Sequence, residues 1–187
     1  MQGNSVDRSR KPPTLQIGEV CEGVHVWCTT PIVRADPSLA FGLCRILRRA
    51  PPNGFVVKQL DPAGGEVEVP AEECYNANTG VDCKSVSDVT SLSHTNDAAV
   101  LALLKERYAH GLIYTLAPPM LIAMNPFKNL GGTDRGAIVA HRQASDGGPP
   151  HVFSVARAAM DQLYREGRSQ AIVISGESGA GKTEAAK

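Results

Sequence analysis

The chain has 187 residues, 42% hydrophobic and 20% charged, a composition that excludes a disordered or fibrous polymer and allows a packed core in one or two domains. Lysine plus arginine equals aspartate plus glutamate at 19 each, so no net field favours nucleic acid, an anionic membrane or any strongly charged partner. The five cysteines, Cys21, Cys28, Cys44, Cys74 and Cys83, are odd in number and lack CxxC spacing, which reads as free thiols in a reducing compartment.

Residues 1–19 are polar at their start, lack an apolar signal-peptide core and are expected to form a flexible tail. From Val20 to Tyr75 short strand-like runs follow one another: Val24 and Val26, Leu39 to Leu47, Gly54 to Leu60, and the acid–valine alternation Glu66 to Val69. Pro62, Ala63, Gly64 and Gly65 supply a turn between the last two runs, and a small antiparallel barrel is the expected sum. After a polar linker near residues 76–87 the period becomes helical, with Val100, Leu101, Leu104 and Tyr108 on one face, Thr95 or Asn96 as the cap and Gly111 as the stop. Met120 to Met124, bracketed by prolines, predicts a short buried strand. The uncharged stretch His110 to Phe127 contains Pro118 and Pro119 and is too short and broken for a membrane helix. A second amphipathic helix follows Pro149 and Pro150, with Val152, Phe153, Ala156, Met160, Leu163 and Tyr164 on its apolar face and Gly167 as its end. His94 and His151, each beside a helix start, read as capping or packing residues. Ala171 to Ile174 then predicts a parallel strand buried on both faces.

Directly behind that strand, Gly176, Glu177, Ser178, Gly179, Ala180, Gly181, Lys182 and Thr183 fit GxxxxGK[ST] in full. The glycines let the backbone wrap closely around a phosphate, and successive N–H groups make an anion-binding nest. Lys182 adds a point charge for the β- and γ-phosphates, and the Thr183 hydroxyl is the expected protein ligand of Mg²⁺. Phosphate binding is the expectation. The loop alone does not decide which nucleoside triphosphatase it serves, and no complete set of catalytic groups is visible.

Read with Glu184, the loop GESGAGKTE resembles the myosin form of the P-loop. Asn125, Pro126, Phe127, Lys128 and Leu130 resemble the myosin purine-binding loop NPxKxL, which implies that Asn125 and Pro126 lie on the adenine side of ATP. Leu92 to Tyr108 (LSHTNDAAVLALLKERY), Leu112 to Thr115 (LIYT) and Pro150 to Phe153 (PHVF) match that family in order and spacing, so the resemblance covers about Asp88 to Lys187. Gly131, Gly132 and Thr133 depart from the family's usual proline and tyrosine, and the NPFKNLG form is similar to the class-fourteen myosins of apicomplexan parasites.

The fold implied is an α/β P-loop NTPase fragment, a partial motor domain over residues 76–187, preceded by a Src-homology-like all-β barrel over residues 20–75. The function implied is the Mg-ATP-binding portion of an actin-based motor, cytoplasmic and associated with the cytoskeleton, with actin filaments and light chains as partners of the full-length protein and no nucleic acid. Because switch loops, actin-binding cleft and lever arm follow the P-loop in that family, the chain reads as a truncated or partial product, expected to bind nucleotide weakly and not to turn it over alone. Two other readings stand beside this one: a small P-loop nucleotide kinase or GTPase, and a barrel adaptor module with a vestigial P-loop.

Overall fold

Alternating burial along short β-rich runs builds the first part of the structure. The computed structural model describes residues 22–29, 39–144 and 148–186; the expected tail over 1–19, Cys21 and Lys187 lie outside them. Strands β1 (His25–Cys28), β2 (Gly42–Ala50), β3 (Gly54–Asp61), β4 (Ala63–Pro70) and β5 (Cys74–Asn76) form one antiparallel sheet in the order β4-β3-β2-β1-β5. Its inner face carries Val26, Cys28, Cys44, Ile46, Phe55, Val57, Val69 and Cys74, which join Ala71 in a single buried cluster. Each large side chain there contributes roughly 1.5–3 kcal/mol by leaving water. Register shifts at Leu43/Cys44, Ile46/Arg48 and Lys58/Leu60 interrupt the ladder, and bulges of this kind bend a sheet.

The hairpin between β3 and β4 is tighter than the sequence predicts. Leu60 already pairs with Ala63, so Gly64 and Gly65 belong to β4 and the turn shrinks to Asp61 and Pro62. Cys28, Cys44, Cys74 and Cys83 are free thiols, the first three buried. Hydrogen bonding to Cys44 and Cys74, together with burial, pushes the Cys28 thiol far above its ordinary range.

Helix α1 (Asp97–Ala109) starts as capping chemistry requires: Asn96 Oδ1 accepts the Ala99 N–H at 2.9 Å. It ends in a Schellman turn, in which Leu112 N bonds Arg107 O and Gly111 N bonds Tyr108 O at 2.9 Å each, with Gly111 at φ 74. The buried positions are Ala98, Ala99, Leu103 and Arg107, not the expected stripe, and Leu101 and Tyr108 are exposed. The reason is Arg107, a charged residue that periodicity assigns to solvent and the fold takes inside.

Strands β6 (Tyr114–Ala117) and β7 (Met120–Ala123) pair as an antiparallel hairpin across Pro118 and Pro119. The expected strand near Met120 thus exists, but Met120 is 65% exposed and the strand is not buried. Helix α2 (Arg135–Gln143), capped by Asp134 on Ala137 N, escaped the sequence reading because Gly136 and a wholly exposed or half-exposed surface weaken its pattern. Helix α3 (Val152–Glu166) ends as expected at Gly167, whose φ is 65. Ala171 to Ile174 form no ladder with any described residue, and Val173 is 87% exposed. The predicted buried strand is therefore not observed, since burial on both faces needs neighbouring strands that the described residues do not supply. Helix α4 (Lys182–Ala185) is a single turn.

By contact the chain divides into two units, one of residues up to 81 with 93–102, the other of 82–92 with 103 onward. No helix among the described residues is long and apolar enough to cross a membrane.

Candidate functional site

The glycine-rich loop lies wholly in the second unit, between the segment after α3 and the single turn of α4. Gly179 and Gly181 sit at φ 81 and φ 91, left-handed conformations that a side chain strains, so these two positions need glycine for the backbone path itself. A Cβ on Gly176 would meet the Ala180 Cβ at 3.1 Å, because the two ends of the loop approach closely. Ala180 N donates to Glu177 O at 3.2 Å and closes the bend.

Lys182 reaches back across the loop. Its Nζ donates to Gly176 O and Glu177 O, both at 2.8 Å. An ammonium has three donors, so these two bonds do not exhaust it. No side chain caps α4 at Gly181, and the first N–H groups of a helical turn have no acceptor within it. Thr183 is exposed, which leaves its hydroxyl accessible to a cation. These features fit a Mg-nucleotide: a glycine loop and a lysine for the phosphates, and a hydroxyl for the metal. Among the described residues no group of three or more His, Cys, Asp or Glu is arranged to hold a metal ion.

The second predicted segment arrives from far away in sequence. Asn125, 54 residues before Gly179, donates from Nδ2 to Gly179 O at 2.8 Å. Its Oδ1 accepts the Phe127 N–H at 2.9 Å, an Asx turn that holds Phe127 at φ 50 and leaves the residue 83% exposed. Pro126 follows directly within that turn. The structure therefore brings together Asn125 and the loop, which sequence spacing alone does not reveal. Beyond Lys128 the chain takes a path of its own: Gly131 and Gly132 are at φ 73 and φ 78, where proline, fixed near φ −65°, cannot stand.

Elsewhere in the second unit two side chains tie elements together, Arg107, which motif reading passes over, and His151, which it reads as a cap or packing residue. Arg107, 4% exposed, donates to Thr115 Oγ1, Cys83 O, Val86 O and Tyr114 O at 2.7–3.0 Å. His151 caps α3 by accepting the Phe153 N–H on Nδ1 at 3.1 Å, and its ring stacks on His141 at 4.4 Å. Burial, and then the neighbouring His141, lower its pKa. The capping role expected of His151 is what the structure shows; at His94 it is the backbone that is held, bonded on both sides by Asn78.

The family described as Myosin head (motor domain) matches residues 86–187, more than half of the chain. The chain is 44% identical over 160 residues to Myosin-B/C of Toxoplasma gondii, covering 84% of the chain and 14% of that relative. It is 41% identical over 175 residues to Myosin-A of Plasmodium yoelii yoelii, covering 91% and 21%. Myosin-2 of Arabidopsis thaliana is 46% identical over 122 residues, covering 65% and 10%. The chain spans about a tenth to a fifth of the length of these relatives. On the family match and these relatives together, the chain belongs to the myosin head (motor domain) family.

Proposed function

We propose that the chain is the ATP-binding portion of an actin-based motor, with the phosphates of Mg-ATP held by Gly176, Glu177, Ser178, Gly179, Ala180, Gly181, Lys182 and Thr183. The observation that supports this reading best is the loop itself: Gly179 and Gly181 take left-handed backbone, Lys182 Nζ folds back onto the Gly176 and Glu177 carbonyls, and no side chain caps the turn that follows. When bound, Mg²⁺ neutralises phosphate charge and orients the triphosphate. The chain's own contribution is to position that triphosphate through backbone N–H groups and Lys182, with the Thr183 hydroxyl as metal ligand and Asn125 and Pro126 on the base side.

Within this reading residues 76–187 are the first part of a P-loop motor domain, residues 20–75 a Src-homology-like barrel, and residues 1–19 a tail. Actin filaments and light chains are the partners of the longer protein, which works in the cytoplasm on the cytoskeleton. The family match leaves no observation that favours a nucleotide kinase, a GTPase or an adaptor with a vestigial loop.

The test is a calorimetric titration of the purified chain with Mg-ATP beside Lys182→Ala. Saturable binding that the variant lowers at least about tenfold is expected, since a charge-assisted hydrogen bond of about 1.5–3 kcal/mol is removed. Equal binding by both proteins would show that the loop does not hold the phosphates.

A further inference from the structure

We infer that Asn125 is a positioning residue for the phosphate loop: its side-chain amide fixes the Gly179–Ala180 peptide in the orientation that keeps the loop open to an anion. The inference rests on the nucleotide-binding reading above and goes beyond it. A place beside the base would leave the Asn125 amide for the ligand, whereas in the structure protein atoms engage it. Nδ2 donates to Gly179 O at 2.8 Å, and Oδ1 accepts from Phe127 N at 2.9 Å. Its backbone carbonyl accepts the Tyr108 hydroxyl at 3.2 Å. The side chain also lies against the loop at Gly181, where an added Cβ would meet Asn125 Cγ at 3.6 Å.

The consequence for the loop follows from peptide geometry. In a trans peptide the C=O and N–H point in opposite directions. The Gly179–Ala180 peptide has its oxygen on Asn125 and its N–H on Glu177 O, so both ends are held. Gly179, at φ 81 and without a Cβ, offers little steric resistance to rotation of that peptide. Without Asn125 the hydrogen bond that holds this oxygen is lost, and a turn that presents the carbonyl to the phosphates becomes easier. A carbonyl dipole so placed repels an anion, in a loop whose other amides attract it. Asn125 thereby acts on phosphate through Gly179, with no contact to phosphate of its own.

Inorganic pyrophosphate, which has neither base nor ribose, isolates this role. Its binding to the full chain, to Asn125→Ala, to Asn125→Ser and to Lys182→Ala is measured by phosphorus NMR titration, and that of adenosine in parallel by proton NMR. Serine keeps a short acceptor for the Phe127 amide and loses the reach to Gly179. Both Asn125 variants are expected to bind pyrophosphate roughly three- to tenfold more weakly, the worth of one hydrogen bond. The Gly179 carbonyl carbon resonance of the unliganded Asn125→Ser protein is expected to move, at an unchanged melting temperature. Pyrophosphate affinity equal to that of the native chain, with adenosine affinity alone reduced, overturns the inference and makes Asn125 a base contact only. If Asn125→Ala does not fold, Asn125→Ser decides. Absence of Lys182-dependent pyrophosphate binding by the native chain overturns the nucleotide reading and this inference with it, so the two failures are distinguishable.

Discussion

The Arg107 guanidinium donates four hydrogen bonds, to three carbonyls and a hydroxyl, and none of these acceptors is a carboxylate. Burial lowers its pKa from the usual guanidinium value, yet at neutral pH it stays charged. Its planar fork reaches the 82–92 segment and β6 at once, which a lysine ammonium cannot reproduce. Arg107→Ala is expected to cost roughly 2–4 kcal/mol, because carbonyls of Cys83, Val86 and Tyr114 lose their donor together. Arg107→Lys recovers little of it. Urea unfolding monitored by circular dichroism measures both, and a loss within about 0.5 kcal/mol for Arg107→Ala would refute the account. Apolar periodicity was a poor guide to this helix for the same reason: Leu101, which it turns inward, is 45% exposed, while the arginine it turns outward is buried.

Among the elements, α3 carries a titrating cap. His151 accepts the Phe153 N–H on Nδ1, so that nitrogen is unprotonated in the folded state. Its pKa is lowered from 6.5 by burial first and by His141 second. The folded state therefore binds fewer protons than the unfolded chain below pH 6.5, and stability falls as pH drops through 6.5 toward the lower folded value. His151→Asn keeps a good capping oxygen and removes the titration. Its unfolding midpoint is expected to vary less between pH 7 and pH 5 than that of the native chain, and an identical pH profile would contradict the assignment. Elements with local signals were legible in the sequence: Asn96 and Gly111 bound α1, Gly167 ends α3, and acid and valine alternate from Glu66 to Val69 in β4. Ala171 to Ile174 were not, because four apolar residues say nothing about which strands lie beside them, and here none of the described strands does.

For the molecule as a whole, the site was more legible than the fold. GxxxxGK[ST] names by itself the residues from which phosphate binding is proposed, and in the structure Gly179 and Gly181 of that pattern take left-handed backbone while Lys182 Nζ donates to Gly176 O. The link from Asn125 to Gly179 was not legible, because a hydrogen bond across 54 residues leaves no periodic trace. The departure at Gly131 and Gly132 was visible as residue identity, but its left-handed backbone, closed to proline, emerged only in the structure. The central claim, that the loop from Gly176 to Thr183 binds the phosphates of ATP, is tested most directly by the amide nitrogen–proton NMR spectrum of the full chain during addition of Mg-ATP. The account expects the largest shifts at Gly179, Gly181, Lys182 and Thr183, smaller ones at Phe127, and little change in the strands β1 to β5. Shifts concentrated in those strands, with the loop amides unmoved at saturation, would contradict it.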